Sequence, residues 1–93
     1  MTCKEAVIQN RLGLHARAAA RFVSVASGFK CDIHVCSGDK KVNGKSIMGL
    51  MMLAAGLGTQ ITIEANGQDE ELAARDLAEL VENGFGEDPN QED

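Results

Sequence analysis

Two side chains with chemistry stand close together in the run Gly13-Leu14-His15-Ala16-Arg17-Ala18-Ala19. The imidazole of His15 sits just before the first turn of an amphipathic segment, where it would be the N-cap of a helix. That end of a helix presents unpaired backbone N–H groups, here those of Ala16 and Arg17, and about half a positive charge. It is a ready site for an anion. Arg17 lies in the same turn and can add a charge-assisted fork to a phosphoryl oxygen. A neutral ring nitrogen held there is a nucleophile beside a preformed phosphate cradle. The alternative is a surface histidine near a surface arginine with no shared task.

The other reactive groups offer less. His34 and Cys36 are two apart on the polar face of a strand, but a metal site needs three or four ligands and no third is in view. No metal or cofactor is expected. Cys3, Cys31 and Cys36 are odd in number with no CxxC pair, which fits a reducing compartment. They read as small apolar fillers. Glu64, Asp69, Glu70 and Glu71 read as a solvated, helix-favouring charge run, not a paired-carboxylate site.

Which elements position His15 follows from the apolar spacing. Lys4 to Gln9 reads as a strand with Ala6 and Ile8 on one face, broken at Asn10-Arg11-Leu12-Gly13. From Ala16 to Ser27 apolar residues fall at 16, 19, 20, 23 and 26, a helical pattern ended by Gly28 as a left-handed C-terminal residue. Cys31 to Cys36 alternates with Ile33 and Val35 inward, and turns at Ser37-Gly38-Asp39-Lys40 into a return strand to Asn43 with Val42 inward. Ser46 to Leu53 is a short apolar helix with Ser46 suited to cap it. Leu50 and Leu53 are expected in the core; Ile47, Met48, Met51 and Met52 cannot all be buried by so short a helix. Gln60 to Ala65 alternates again, and a last helix runs from about Asp69 to Asn83 with Ala73, Leu77, Leu80 and Val81 on one stripe. Gly84 can terminate it.

The order β-α-β-β-α-β-α, with strands apolar on one face, needs two layers: an antiparallel-rich sheet with helices on one side and solvent on the other. The class is α+β. Ninety-three residues leave room for one domain, expected over residues 1–86. Residues 87–93 carry four acidic residues, one proline and no apolar residue, and read as a disordered acidic tail.

Two segments together resemble the histidine-containing phosphocarrier (HPr) family of the phosphoenolpyruvate-dependent phosphotransferase system. The first is Gly13-Leu14-His15-Ala16-Arg17 with small residues at 18–20 and Arg21-Phe22-Val23 after it. The second is Val42-Asn43-Gly44-Lys45-Ser46-Ile47-Met48-Gly49-Leu50, at the expected distance. The resemblance covers about residues 3–83. It implies an open-faced sandwich with a four-stranded antiparallel sheet and three helices on one face. It implies that His15 accepts phosphate on Nδ1 from phosphorylated enzyme I and gives it to enzyme IIA proteins, with Arg17 stabilising the phosphoryl group. Ser46 would be the regulatory serine of an HPr kinase/phosphorylase. Ile47 and Met48, with Met51, would form an exposed docking patch; methionines suit a surface that takes several partners in turn. The protein would be a carrier acting with partner phosphotransferases, not a free-standing enzyme. One departure is Ala18, where most of the family has proline. It leaves two branches open, a sugar-uptake carrier and a nitrogen-related regulatory paralogue.

Composition narrows the rest. Nine basic against fourteen acidic residues give a net charge of −5. That argues against nucleic acid, whose binding runs on phosphate neutralisation by Lys and Arg. Three Phe, with no Trp or Tyr, offer few stacking faces. No run approaches the roughly 20 apolar residues that span a bilayer. The N-terminus has no secretory pattern, so a cytoplasmic location is expected; the chain is also expected to be a monomer. Two rivals belong to other classes. A small acylphosphatase-like hydrolase would use Asn10 and Arg11 of the first loop, but leaves His15 and the second segment unexplained. A metal-delivery domain would need CxxC in that loop, which has no cysteine.

Overall fold

The computed structural model describes residues 1–87; residues 88–93 of the expected tail lie outside the described residues. The elements are β1 (Thr2–Val7), α1 (Ala16–Ala26), β2 (Asp32–Ser37), β3 (Lys40–Asn43), α2 (Ile47–Met52), β4 (Gln60–Asn66) and α3 (Glu70–Glu82). A single 3-10 turn, Gly84–Gly86, follows α3. The strands lie in the order β1-β4-β2-β3, every neighbouring pair antiparallel.

Register explains the single buried face. Ala6 pairs with Ile61, Val35 with Ile63 and Ile33 with Ala65, and all six are buried. Strand side chains alternate, so one register that buries these residues turns Glu5, Thr62, Glu64, His34 and Cys36 to the other face. The helices complete the core with Phe22, Leu50, Leu77 and Val81, each fully buried. Burial of such a side chain stabilises by about 1.5–3 kcal/mol. Gly38 and Asp39 form a two-residue hairpin loop between the paired Ser37 and Lys40, with Gly38 at φ +61°. A positive φ there matches the twist of the strands, and glycine takes it without strain.

Several elements differ from expectation. β1 starts earlier and stops at Val7, and Ile8, still buried, bonds the loop before β4 instead: its N–H donates to Thr59 and its carbonyl accepts from Gly58. On α1 the buried face is Ala18, Ala19, Phe22 and Ala26, while Ala16 and Ala20 are exposed. The alanines fit either face nearly equally, so the one large residue, Phe22, orients the helix. Gly28 is not left-handed; α1 ends with ordinary turns, Ser27 N–H donating to Val23 and Gly28 N–H to Val25. On α3, Ala74 is buried and Leu80 only half-buried.

The carboxylates are not simply solvated. Asp69, the cap residue of α3, makes no side-chain cap bond and instead accepts from the backbone N–H groups of Lys30 and Cys31, both at 3.0 Å. Those bonds, the Lys30 one foremost, lower its pKa. Glu64 bridges Lys41 at 2.9 Å and accepts from the Cys36 thiol at 3.4 Å. Glu70 accepts from the Thr2 hydroxyl at 2.7 Å and from Gly67 N–H at 3.1 Å, and pairs with the Met1 amine at 3.1 Å. It thereby ties the start of β1 to the start of α3.

The Thr2 hydroxyl, then the Gly67 N–H, hold Glu70 down to about 2 from its usual 4.5. A carboxylate with a depressed folded pKa stabilises above its unfolded pKa and loses that contribution as pH falls through the folded one. Stability should therefore decline as pH drops from about 4.5 to about 2, and Glu70→Gln should flatten that part of the decline. Denaturant unfolding at stepped pH measures it; equal declines in both proteins would contradict the role of this contact.

Candidate functional site

The site begins with a loop whose backbone is fixed before any side chain acts. Gly13 has φ +67°, and a Cβ there would lie 2.3 Å from the carbonyl oxygen of Ala55 and 2.7 Å from the Cα of Gly56. No other residue fits so close an approach in a left-handed conformation. Leu14 N–H donates to the same Ala55 carbonyl at 3.0 Å. Asn10 is buried and braces the loop from within, its Nδ2 donating to the Gly13 carbonyl at 2.8 Å.

His15 leaves this loop in an extended conformation, φ −78° and ψ 178°, as the N-cap of α1. Its carbonyl accepts from Ala19 N–H at 2.8 Å. Its Nδ1 accepts from the backbone N–H of Arg17 at 3.2 Å. A ring nitrogen thus does what a Ser or Asp oxygen does at most helix starts. Nε2 faces the Oε2 of Glu87 at 2.8 Å. The carboxylate only accepts, so Nε2 carries the proton and Nδ1 keeps its lone pair. The first turn of α1 holds no acidic residue, unlike that of α3. Ala16 and Arg17 are exposed at this end.

Glu87 was expected in the tail, yet it closes the site. Three successive residues of the preceding turn have positive φ: Gly84 at 65°, Phe85 at 58° and Gly86 at 73°. For Phe85 the left-handed region costs about 1–2 kcal/mol, which full burial of its ring offsets by about 1.5–3 kcal/mol. Arg21 Nη1 donates to the Phe85 carbonyl at 2.6 Å. Glu87 Oε1 accepts from Asn10 Nδ2 at 3.0 Å. Sequence reasoning missed Arg21, Phe85 and Glu87 as site supports. The available signal was Phe85 itself, one of three aromatics in the chain, set between two glycines outside any periodic helix.

Ser46 and the apolar residues lie on a separate element. Ser46 is the N-cap of α2, its Oγ accepting from Gly49 N–H at 3.0 Å. Leu50 and Leu53 are core, while Ile47, Met48, Met51 and Met52 are exposed, Met48 by 74% and Met52 by 70%. α2 packs against α1. Leu12 and Leu57 are exposed on loops.

The remaining candidates do not join this site. His34 and Cys36 lie on the open sheet face, and among the described residues no three His, Cys, Asp or Glu side chains converge as metal ligands. Burial, helped by Asp69, pushes the Cys31 thiol up to about 11. Burial also raises Cys36, with Glu64 adding to it. Both stay protonated near neutrality, which removes their nucleophilic form. Asn10 points inward and Arg11 is exposed, so the pair that an acylphosphatase-like site would need is not assembled.

A family profile described as PTS HPr component phosphorylation site matches residues 2–83. The chain belongs to the HPr phosphocarrier family. It is 55% identical over 80 residues to the phosphocarrier protein HPr of Neisseria meningitidis, covering 86% of this chain and 90% of that one. Its identity to the phosphocarrier protein NPr of Shewanella violacea is 40% over 84 residues, covering 90% and 92%. Its fold is similar to the crystal structure of HPr-C-His from Thermoanaerobacter tengcongensis, with a TM-score of 0.89 and 46% identity over 95% of this chain and 99% of that one. HPr proteins are phosphocarriers of the phosphotransferase system, and the open-faced α+β sandwich with four antiparallel strands and three helices is theirs. In this HPr chain Ala18 is fully buried at the third helical position of α1. Alanine, the best helix former, keeps that turn intact.

Gly13 connects the fold to the site, so Gly13→Ala should act on both. The left-handed backbone and the 2.3 Å approach to Ala55 leave a methyl nowhere to go. Stability should fall by well over about 1 kcal/mol, and the amide signals of Leu14 to Arg17 should shift most. Thermal unfolding and amide NMR check this; an unperturbed variant would contradict the tight approach.

Proposed function

We propose that His15 accepts a phosphoryl group on Nδ1 from phosphorylated enzyme I and passes it to enzyme IIA proteins. One observation carries this reading: the imidazole caps α1 with Nδ1 on the backbone N–H of Arg17 while Nε2 is engaged by Glu87. Of the two ring nitrogens, Nδ1 alone has its lone pair directed at the end of the helix that favours an anion. Arg17 steadies the transferred group with its guanidinium, and the backbone N–H groups of Ala16 and Arg17 face its oxygens. The chain carries the group between larger proteins, which supply the rest of the chemistry. It works as a monomer in the cytoplasm. Among the described residues no helix is long and apolar enough to cross a membrane.

Higher identity to HPr than to NPr supports the sugar-uptake branch over the nitrogen-related one. Ile47, Met48 and Met51 are the docking surface on this reading, in line with their exposure on a helix that packs beside α1. Ser46 is its regulatory site, open to an HPr kinase/phosphorylase.

Incubation with enzyme I and phosphoenolpyruvate tests the central step. His15→Ala should fold, since loss of a cap costs about 0.5–2 kcal/mol, and should take up no phosphate. Arg17→Glu should take it up far more slowly than Arg17→Lys. Full labelling of His15→Ala would move the acceptor elsewhere and end this reading.

Docking and regulation are separable. Ile47→Asp and Met48→Asp should change stability by no more than about 0.5 kcal/mol, as expected of surface positions. Affinity for enzyme I should fall about tenfold, the scale of losing one interface anchor. Unchanged affinity would remove the patch.

Phosphorylation of Ser46 adds about −1.5 to −2 charges. At a helix N-terminus that charge does not oppose the fold, so its effect falls on binding to an acidic partner surface. Repulsion of this kind is screened within about 8–10 Å in ordinary salt. Ser46→Asp should therefore slow phosphoryl acceptance, with a defect that shrinks as salt rises. A defect that does not depend on salt would rule out simple repulsion.

A further inference from the structure

We propose that Glu87 is a positioning residue for His15: its carboxylate holds the Nε2 proton of the imidazole while Nδ1 gains and loses a phosphoryl group. This rests on the reading of His15 as the acceptor and adds a part that the motif around His15 does not contain.

The geometry calls for a carboxylate and not merely a polar side chain. Glu87 presents two oxygens to two donors, Oε2 to His15 Nε2 at 2.8 Å and Oε1 to Asn10 Nδ2 at 3.0 Å. An amide would satisfy one and oppose the other with its own NH2. Asn10 cannot turn over to compensate, because the same Nδ2 donates to the Gly13 carbonyl at 2.8 Å. The Glu87 side chain is only 11% exposed, so its charge is weakly screened at the ring.

The carboxylate is also delivered by a turn locked in place. The three left-handed residues Gly84, Phe85 and Gly86 reverse the chain after α3. The buried Phe85 ring, the bond from Arg21 to its carbonyl and the bond from Glu87 N–H to the Gly84 carbonyl at 3.1 Å lock that reversal. The result sets Glu87 on the far side of the imidazole from the helix N-terminus.

The chemistry follows from which species leaves. In acceptance, the Nδ1 lone pair forms the N–P bond as the bond from phosphorus to the donor breaks and its electron pair returns to the donor. The ring then carries both the phosphoryl group and the Nε2 proton, and its positive charge is paired with Glu87. In donation, the N–P bond breaks and its electron pair returns to Nδ1, so the leaving group is neutral imidazole. Without the Nε2 proton the leaving group would be an imidazolate anion, a far poorer one. A carboxylate that retains the proton therefore favours both directions. Among the described residues, the charged group shown at the ring is Glu87 from the turn, while Arg17 of α1 reaches Nδ1 through its backbone N–H. Arg21, one turn along, is committed to Phe85, and the loop after β1 contributes the neutral Asn10.

The test uses the full chain and its Glu87→Gln and Glu87→Ala variants. Ring nitrogen NMR of the unphosphorylated proteins should show the proton on Nε2 in wild type, with the Nε2 signal displaced by the carboxylate, and Glu87→Ala with the same tautomer, kept by the Arg17 N–H at Nδ1, but without that displacement. After phosphorylation by enzyme I and phosphoenolpyruvate, donation to enzyme IIA is followed against pH. In both variants the alkaline fall in donation should begin at lower pH, and the rate near neutrality should drop on the order of tenfold, the usual effect of losing a partner that orients a histidine. KM for enzyme IIA should not change, and Glu87→Gln provides a near-isosteric check on folding. Identical ring spectra and identical pH profiles in wild type and both variants would overturn the proposal. That result differs from failure of the underlying reading, in which His15→Ala would still be labelled.

Discussion

A single hydrogen bond, from the backbone N–H of Arg17 to Nδ1 of His15, ties the chemistry of this protein to its fold. It makes the imidazole part of α1, so the ring takes its direction from the helix axis and not from a free rotamer. It also directs the Nδ1 lone pair at the N-terminus of α1, where backbone N–H groups have no carbonyl partner within the helix. A serine cap would hold the helix equally well, but would supply no nucleophilic nitrogen. The cap position is therefore where structural and chemical demands on one side chain coincide.

The rest of the molecule is arranged to keep that cap in register. The antiparallel order β1-β4-β2-β3 puts the loop leaving β1 beside the loop entering β4, and bonds through Ile8, Leu14, Ala55, Gly58 and Thr59 stitch the two together. Gly13 permits their closest approach. Phe22 turns α1 so that Ala18, Ala19 and Ala26 face the core, and the buried Phe85 anchors the chain end that carries Glu87. Two of the three phenylalanines thus support the placement of His15 from within the core without taking part in the chemistry. The open sheet face, with Glu64 set between Lys41 and Cys36, is a separate electrostatic region. Burial and the Glu64 carboxylate keep its Cys36 thiol protonated.

Much of this was legible in the chain, and the reasons are physical. β2 and β4 announced themselves because β-branched residues at every second position have one consistent reading. The site motif was legible because its physics is local: a cap, a helix and a charge within one turn. The helical character of α1 is legible but its rotation is not, because an alanine-rich surface carries almost no orientational signal and the single large residue, Phe22, decides which face is buried. Glu87 was hidden for a different reason. Its neighbours are acidic and polar, which reads as tail, while its partners Asn10 and His15 lie more than seventy residues away. The role of Asp69 is hidden in the same way, since its bonds to Lys30 and Cys31 join residues nearly forty positions apart. Contacts that close long loops leave no periodicity to find.

The central claim is that the α1 cap selects Nδ1 of His15 for phosphoryl transfer. The most direct measurement is the one-bond coupling between phosphorus and ring nitrogen in nitrogen-15-labelled protein, phosphorylated by enzyme I and phosphoenolpyruvate. The account predicts one phosphorus signal coupled to the His15 nitrogen that lacks a proton in the free protein, Nδ1. Coupling to Nε2, or to a nitrogen of His34, would contradict it.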